Sequence, residues 1–398
     1  VFTAPSIDRY RQQFPALSNK TYFNYGGQGP MASQAIAALS EMQQQIQALG
    51  PFSGATNRWL TQETATTRAA IAAELGTTAD AITLTENVTA GCNIGLWSVD
   101  WHEGDHILLS DCEHPGIIAA IQELQRRFGI KISTCPVQRT LNEGDPVRAI
   151  AQSLLPTTRM VVISHVLWNT GQVLPLADIV AVCHSHPTQS GTPVQVMVDA
   201  AQSVGMLPLD LDQLGADFYA FTGHKWLCGA AGAGGLYVRP DRREQAPPTF
   251  IGWRGITMDG AGEPTGWKPS GQRYEVATSD YPLYSALKTA IALHQQQGTA
   301  TERYRQICEQ SAYLWKQLQG LPGVECLRTS APPESGLVSF RLTHAANGAH
   351  QQLVSELEEQ RFMLRTLASP DCIRACTHYF TTQDDSDRLI AKLRSRLS

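Results

Sequence analysis

The residues able to do chemistry gather in one stretch, 198–225, which reads VDAAQSVGMLPLDLDQLGADFYAFTGHK. Val196, Met197 and Val198 lead into Asp199, with Ala201 and Gln202 close behind. Phe218, Tyr219, Ala220 and Phe221 lead into Thr222, Gly223, His224 and Lys225. An acid and a lysine thus each stand at or just past the end of an apolar, strand-like run. In an open α/β sheet, strand C-terminal ends line the crevice where ligands bind. Singly, such an Asp is ordinarily a helix cap or turn residue, and such a Lys is ordinarily solvated. Together they suit a cofactor carrying a ring nitrogen, an aldehyde and a phosphate. Pyridoxal phosphate has all three, and its enzymes pair a Schiff-base lysine with an acid on the pyridinium nitrogen.

Further segments fit the same cofactor. Residues 85–93, TENVTAGCN, follow a strand-like run and open a helical one, so backbone N–H groups and the Thr89 hydroxyl could hold a phosphate. An ordinary Thr cap is an equal reading of that segment taken alone. Glu113-His114-Pro115 follows the run 106–110, and His114 could lie face-on against a planar ring; alone it reads as a turn histidine. Arg365 and Arg374 sit near C-terminal strands, where a planar fork could grip an amino-acid carboxylate. The glycine-rich run 229–235 is no dinucleotide fingerprint. That motif needs a strand before and a helix after, and here a strand, 236–238, follows.

These residues need a scaffold. Strand-like runs fall at 82–84, 106–110, 130–133, 160–164, 194–198, 218–221 and 235–238, with helical patterns between them, as at 116–128 and 176–184. The spacing predicts an α/β fold with a mainly parallel, doubly wound sheet. A Pro/Gly-rich stretch, 240–271, breaks the rhythm. Helical patterns at 282–297 and 301–318, strands at 337–342 and 372–378, and a closing helix from Gln383 follow it. A chain of 398 residues exceeds one usual core, so two domains are expected: a large domain, 21–261, and a small α+β domain from 1–20 and 262–398. The cleft between them is the natural substrate site. A net charge of −5 with interspersed signs gives no footprint for nucleic acid or anionic membrane. No apolar run approaches the ~18 residues that span a bilayer, and the first residues lack a secretion signal. Nine scattered cysteines without CxxC spacing fit reduced thiols in a cytoplasm.

The set of motifs resembles the class V aminotransferase family, the cysteine-desulfurase-like branch of fold-type I pyridoxal-phosphate enzymes. The family's D-x-A-Q appears as Asp199-Ala200-Ala201-Gln202, and its S/T-x-H-K as Thr222-Gly223-His224-Lys225. Glu113-His114, Val88-Thr89 and Val276-Ala277-Thr278 stand in the places of its E-H motif, phosphate loop and A-G-T. Arg365 and Arg374 match its C-terminal pair, so the likeness runs from about Tyr22 to the C-terminus. The resemblance implies that Lys225 carries the cofactor and moves the α-proton, that Asp199 holds the pyridine nitrogen, and that Gln202 bonds the ring hydroxyl. It implies that His114 stacks on the ring, and that Val88, Thr89, Thr222, His224 and Thr278 surround the phosphate. Arg374, helped by Arg365, would bind substrate carboxylate. The family's Thr reaches the neighbouring subunit, which implies a homodimer.

Two departures bear on the reaction. Family desulfurases carry a nucleophilic cysteine in a loop resembling R-x-G-x-H-C. Here the segment 365–372 reads RTLASPDC, with Pro370 where the thiol is expected and Cys372 two positions later. Trp168 stands where the family usually has Asn, which shapes the pocket for a larger or less polar substrate. Without an acceptor thiol the expected chemistry is β-elimination, and the segment ISHVLWNTGQVLP is similar to the cysteine/cystine C–S lyases. Cystine or cysteine would then yield pyruvate, ammonia and a persulfide or sulfide, with a sulfur-acceptor or iron–sulfur protein as partner. The alternatives are a desulfurase or selenocysteine lyase using Cys372, another class V enzyme such as an epimerase or aminotransferase, and a non-catalytic binding protein. Intact Lys225 and Asp199 argue against the last.

Overall fold

The computed structural model describes residues 7–397; residues 1–6, expected within the smaller domain, and Ser398 lie outside the described residues. A seven-stranded sheet runs in the spatial order Ile82–Thr85, Gly234–Val238, Phe218–Thr222, Gln195–Asp199, Thr158–Ser164, His106–Ser110, Lys131–Cys135. Gly234–Val238 is antiparallel to both its neighbours, and the remaining pairs are parallel. The mainly parallel, doubly wound sheet expected from the sequence is therefore the observed one.

Its strands read as near-continuous apolar runs because both faces are covered. Successive side chains alternate between two cores: Val161, Ile163, Val196, Val198, Tyr219 and Phe221 enter one. Met160, Val162, Met197, Phe218 and Ala220 enter the other. Shifting any of these strands by one residue would exchange its two faces, so the pairing of Ser164 with Asp199 and of Asp199 with Ala220 is firmly set. That register brings the polar ends of three strands to one edge of the sheet.

The helix Gly54–Leu75 has no counterpart in the sequence reading. It is rich in Thr, whose branched side chain is a weak helix former, and its apolar stripe is thin. Its ends carry the available signal: Ser53 accepts from the Thr56 N–H at 3.1 Å, and Gly76 closes the helix at φ 62°. The Pro/Gly-rich stretch contains a small exposed hairpin, Ile256–Met258 with Pro264–Trp267, also unforeseen.

A second, four-stranded antiparallel sheet has the order Val324–Cys326, Leu337–Leu342, Asp371–Cys376, Arg365–Ala368. Phe340 and Ile373 pack with Leu314 and Leu318 of the helix Ala300–Gln319 and with Leu389 and Leu393 of the closing helix Gln383–Leu397. Arg11 of the helix Ile7–Arg11 pairs with Asp385 at 2.8 Å, tying the two ends of the chain together. Among the described residues no helix is long and apolar enough to cross a membrane.

Candidate active site

A cavity of about 220 Å³ opens at the C-terminal ends of the parallel strands. Asp199, Lys225, His114, Gln202, His224 and Trp168 line it, together with Asn87, Val88 and Thr89. A second cavity of about 180 Å³ shares His114, Trp168, Gln202 and Lys225 and adds Gly26, Gly27, Arg365, Leu367 and Arg374. The two sheets thus contribute to one composite site: the first chamber belongs to the large sheet, the second adds the arginine-bearing hairpin of the small one.

Asp199 ends its strand with its carboxylate buried, and Oδ1 accepts the Ala201 N–H at 2.9 Å. Burial raises its pKa, while that N–H, Lys225 and His114 pull the other way. A cationic ring nitrogen would supply the counter-charge the carboxylate lacks. Burial lowers the Lys225 ammonium to about 8; Asp199 opposes this and Arg374 adds to it. An amine in that range spends part of its time neutral near neutral pH, as carbonyl chemistry requires.

Gln202 is oriented by two fixed partners. Its Oε1 accepts the Trp226 indole N–H at 2.9 Å and its Nε2 donates to the Gly26 carbonyl at 2.9 Å. One Nε2 hydrogen is left for a ligand. Gly29 lies against the lysine peptide: its N–H donates to the His224 carbonyl at 2.7 Å, and a Cβ there would stand 2.2 Å from the Lys225 carbonyl oxygen. The early glycines, legible in the sequence only as a loop, are therefore part of the site's wall.

His114 caps the helix Pro115–Phe128, with Nδ1 accepting the Gly116 N–H at 3.2 Å. Its ring meets Trp168 edge-on, centroids 5.9 Å apart, and burial lowers its pKa. Glu113 beside it is buried and accepts from Ser110, from the Ser164 hydroxyl at 2.8 Å and from the Ser164 N–H at 3.0 Å. It staples two strand ends beneath the cavity. Burial pushes its carboxyl up to about 7.

At the opposite end, Asn87 caps the helix Val88–Trp97 by accepting the Ala90 N–H at 2.9 Å. The first-turn N–H groups of Val88 and Thr89 have no intrahelical acceptor, which leaves an anion cradle at the helix N-terminus. His224 lies beside it, held neutral by burial, with its pKa lowered to about 4. The Thr222 hydroxyl is turned onto His224 Nδ1 at 2.6 Å and is not among the lining groups. Thr278 is not brought to this cavity at all. It is exposed and borders two other hollows, of about 480 and 530 Å³, on the outer face.

Arg374 is buried, donates to the Trp168 carbonyl at 2.7 Å, and keeps its Nε without a partner. Arg365 sits directly opposite it in the hairpin register. Two like charges across a strand pair repel unless an anion lies between them, so the pair suits a substrate carboxylate. The hairpin closes through only Ser369 and Pro370, and Asn169 Nδ2 donates to the Ser369 carbonyl at 3.2 Å. Cys372 is fully buried in the returning strand, lines neither cavity, and has its thiol pushed up to about 12 by burial.

The donor set fits pyridoxal phosphate: a buried acid for the ring nitrogen, a buried amine for the aldehyde, and the free first-turn N–H groups of Val88 and Thr89 for the phosphate. Fold and site together define a fold-type I pyridoxal-phosphate enzyme. The family model for aminotransferase class-V matches residues 21–389, and the chain belongs to that family, as the motifs imply.

The chain is 53% identical, with a TM-score of 0.93, to the cystine C–S lyase C-DES solved with its reaction product cysteine persulfide, covering 96% of this chain and 99% of that one. Another structure of C-DES, at the same identity, has glycine covalently linked to the PLP cofactor. Isopenicillin N epimerase of Streptomyces clavuligerus is 30% identical over 320 residues, 77% of this chain and 78% of the relative. A cysteine desulfurase of Klebsiella pneumoniae is 29% identical over 332 residues, 79% of this chain and 75% of the relative.

Proposed function

We propose that this enzyme is a carbon–sulfur lyase that performs β-elimination on cystine and, less readily, cysteine. The observation that carries the reading is the hairpin Arg365–Cys376. A desulfurase needs a thiol that can reach the substrate sulfur, and here a two-residue turn tethered to Asn169 stands in its place. Cys372, the cysteine just past that turn, is sealed from both cavities and held as a thiol. The likeness to C-DES supports the same substrate class.

When bound, pyridoxal phosphate supplies an electron sink for negative charge at the substrate α-carbon. Arg374 and Arg365 grip the α-carboxylate, and Trp168, bonded through its carbonyl to Arg374, walls the space for the side chain. Lys225, which would hold the cofactor, would take the substrate α-proton on its neutral Nζ. The Cβ–S bond breaks, and the sulfur leaves with the bonding pair. From cystine that leaving group is a persulfide, a better one than a thiolate because its conjugate acid is stronger. The balance is cystine plus water to pyruvate, ammonia and cysteine persulfide. Asp199 would pair with the cofactor's ring nitrogen, and His114, whose pKa burial lowers, would lie against the ring.

The active form is a homodimer in this reading. Thr278 lies exposed, beside Phe250 and Trp253, which are 71% and 53% exposed, so this face suits a second copy whose phosphate site Thr278 would complete. The chain divides into a large cofactor domain and a small domain that closes the cleft. All nine cysteines are unpaired thiols, which fits a reducing cytoplasm, and the persulfide product fits sulfur donation to iron–sulfur assembly.

Replacing the one candidate acceptor tests the reading. Cys372→Ala should form pyruvate from cystine at the parent rate, measured by coupled reduction. Loss of turnover with the fold intact would make Cys372 the acceptor and the enzyme a desulfurase. An epimerase, the reading favoured by the Streptomyces relative, would exchange the α-proton without forming pyruvate.

A further inference from the structure

The peptide that carries Lys225 is bolted in place by two imidazoles from outside the large sheet. From residue 223 to 227 every backbone carbonyl has a donor. Gly223 accepts from the Gly229 N–H at 2.9 Å, His224 from Gly29 at 2.7 Å and Lys225 from Cys228 at 3.0 Å. The last two have no backbone donor. His378 Nε2 lies 3.0 Å from the Trp226 carbonyl, and His294 Nε2 lies 2.8 Å from the Leu227 carbonyl. A carbonyl only accepts, so each imidazole must carry its hydrogen on Nε2.

That tautomer propagates. With Nε2 protonated, His294 Nδ1 is an acceptor, and the Tyr379 hydroxyl 2.7 Å away must donate to it. The Tyr379 and Tyr10 hydroxyls are 2.8 Å apart, so the chain of bonds extends to the N-terminal helix Ile7–Arg11. His378 follows the strand Asp371–Cys376 that bears Arg374, and its ring stacks on Trp226 at 5.7 Å and 22°. Trp226 in turn orients Gln202. Burial keeps the two imidazoles neutral, His294 at about 3 and His378 well below its ordinary value. A cation at either place would have no counter-ion. A simple packing role would be served by Leu or Phe, whereas both residues spend a specific N–H on the two peptide groups after the lysine.

We propose that His294 and His378 are positioning residues for Lys225, fixing its peptide so that the amine stands in register with Asp199 and with the arginine hairpin. The proposal rests on Lys225 being the cofactor lysine. His378 joins the lysine peptide to the strand of Arg374, so the grip on substrate and the proton-transferring amine are set by one frame.

The test uses the cofactor-loaded enzyme and its visible absorbance band, titrated against pH without any amino acid, so it does not depend on the substrate. His294→Leu should displace the midpoint of that titration and lower kcat by about 100-fold with little change in KM, the cost of misplacing a reacting group. His294→Gln, whose Nε2 can donate from nearly the same place, should restore both. If His294→Leu does not fold, Tyr379→Phe removes the tautomer lock together with the bond to Tyr10, keeps both imidazoles, and should move the midpoint the same way by a smaller amount. An unmoved midpoint in every variant, with melting temperature falling equally for Leu and Gln, would overturn the proposal. Borohydride reduction and peptide mapping stand apart from this: an adduct away from Lys225 would refute the lysine assignment itself.

Discussion

Glu113 is held by three hydrogen-bond donors at the strand ends, yet its carboxyl is pushed up to about 7 from an ordinary 4.5, chiefly by burial. A carboxyl whose folded value is raised binds its proton more tightly in the folded than in the unfolded chain. Its contribution to stability is therefore full below about 4.5 and is lost as pH climbs through about 7. Glu113→Gln keeps acceptors and donors for Ser110 and Ser164 but cannot ionise. Thermal melts should show parent stability declining between pH 5 and 7.5 relative to Glu113→Gln, and parallel melts across that range would refute the assignment. Asp199, His224, Lys225 and Thr89 were legible because each stands at or just past a strand end, or opens a helix, in an apolar pattern. Thr222 was legible as a position but not as a contact, since its hydroxyl faces His224. Glu113's anchoring of Ser164 was not legible, because it joins residues 51 apart through a pairing that only the sheet register creates.

Among the elements, the loop holding Gly26, Gly27 and Gly29 does the most with the least sequence signal. Gly29 admits no side chain, since even a methyl would overlap the Lys225 carbonyl. Gly29→Ala should therefore push the lysine peptide outward and break the bond to His224. We expect the purified variant to hold cofactor poorly, read as a loss of the visible band on dialysis, and full retention would show that the loop can retreat. The hairpin Arg365–Cys376 is the converse case. Its sequence announces a missing thiol, but the tightness of its turn and the tether to Asn169 appear only in three dimensions. The helix Gly54–Leu75 was missed for a physical reason: Thr-rich helices draw their stability from tertiary packing, here on the helix Tyr281–Gln295, more than from propensity.

At the scale of the whole molecule, the outer face around Thr278 rests on a buried charge cluster. Arg68 grips Glu275 at 2.6, 2.7 and 3.1 Å, Arg254 adds a contact at 3.0 Å, and the Leu84 N–H a fifth at 3.1 Å. A fully engaged buried carboxylate of this kind fixes the start of the segment that carries Thr278 outward. Trp253→Asp places a charge on the exposed apolar face beside it without touching the lysine cavity. For the proposed homodimer, sedimentation should show a shift toward monomer together with weaker cofactor retention. A monomer that keeps its cofactor as tightly as the parent would separate Thr278 from the phosphate.

The lyase assignment itself meets its most direct test in the carbon products of cystine turnover. Equal amounts of pyruvate and ammonia for each cystine consumed, with cysteine persulfide in solution and no alanine, is the expected result. Alanine in place of pyruvate, with the sulfur retained on the protein, would contradict the account.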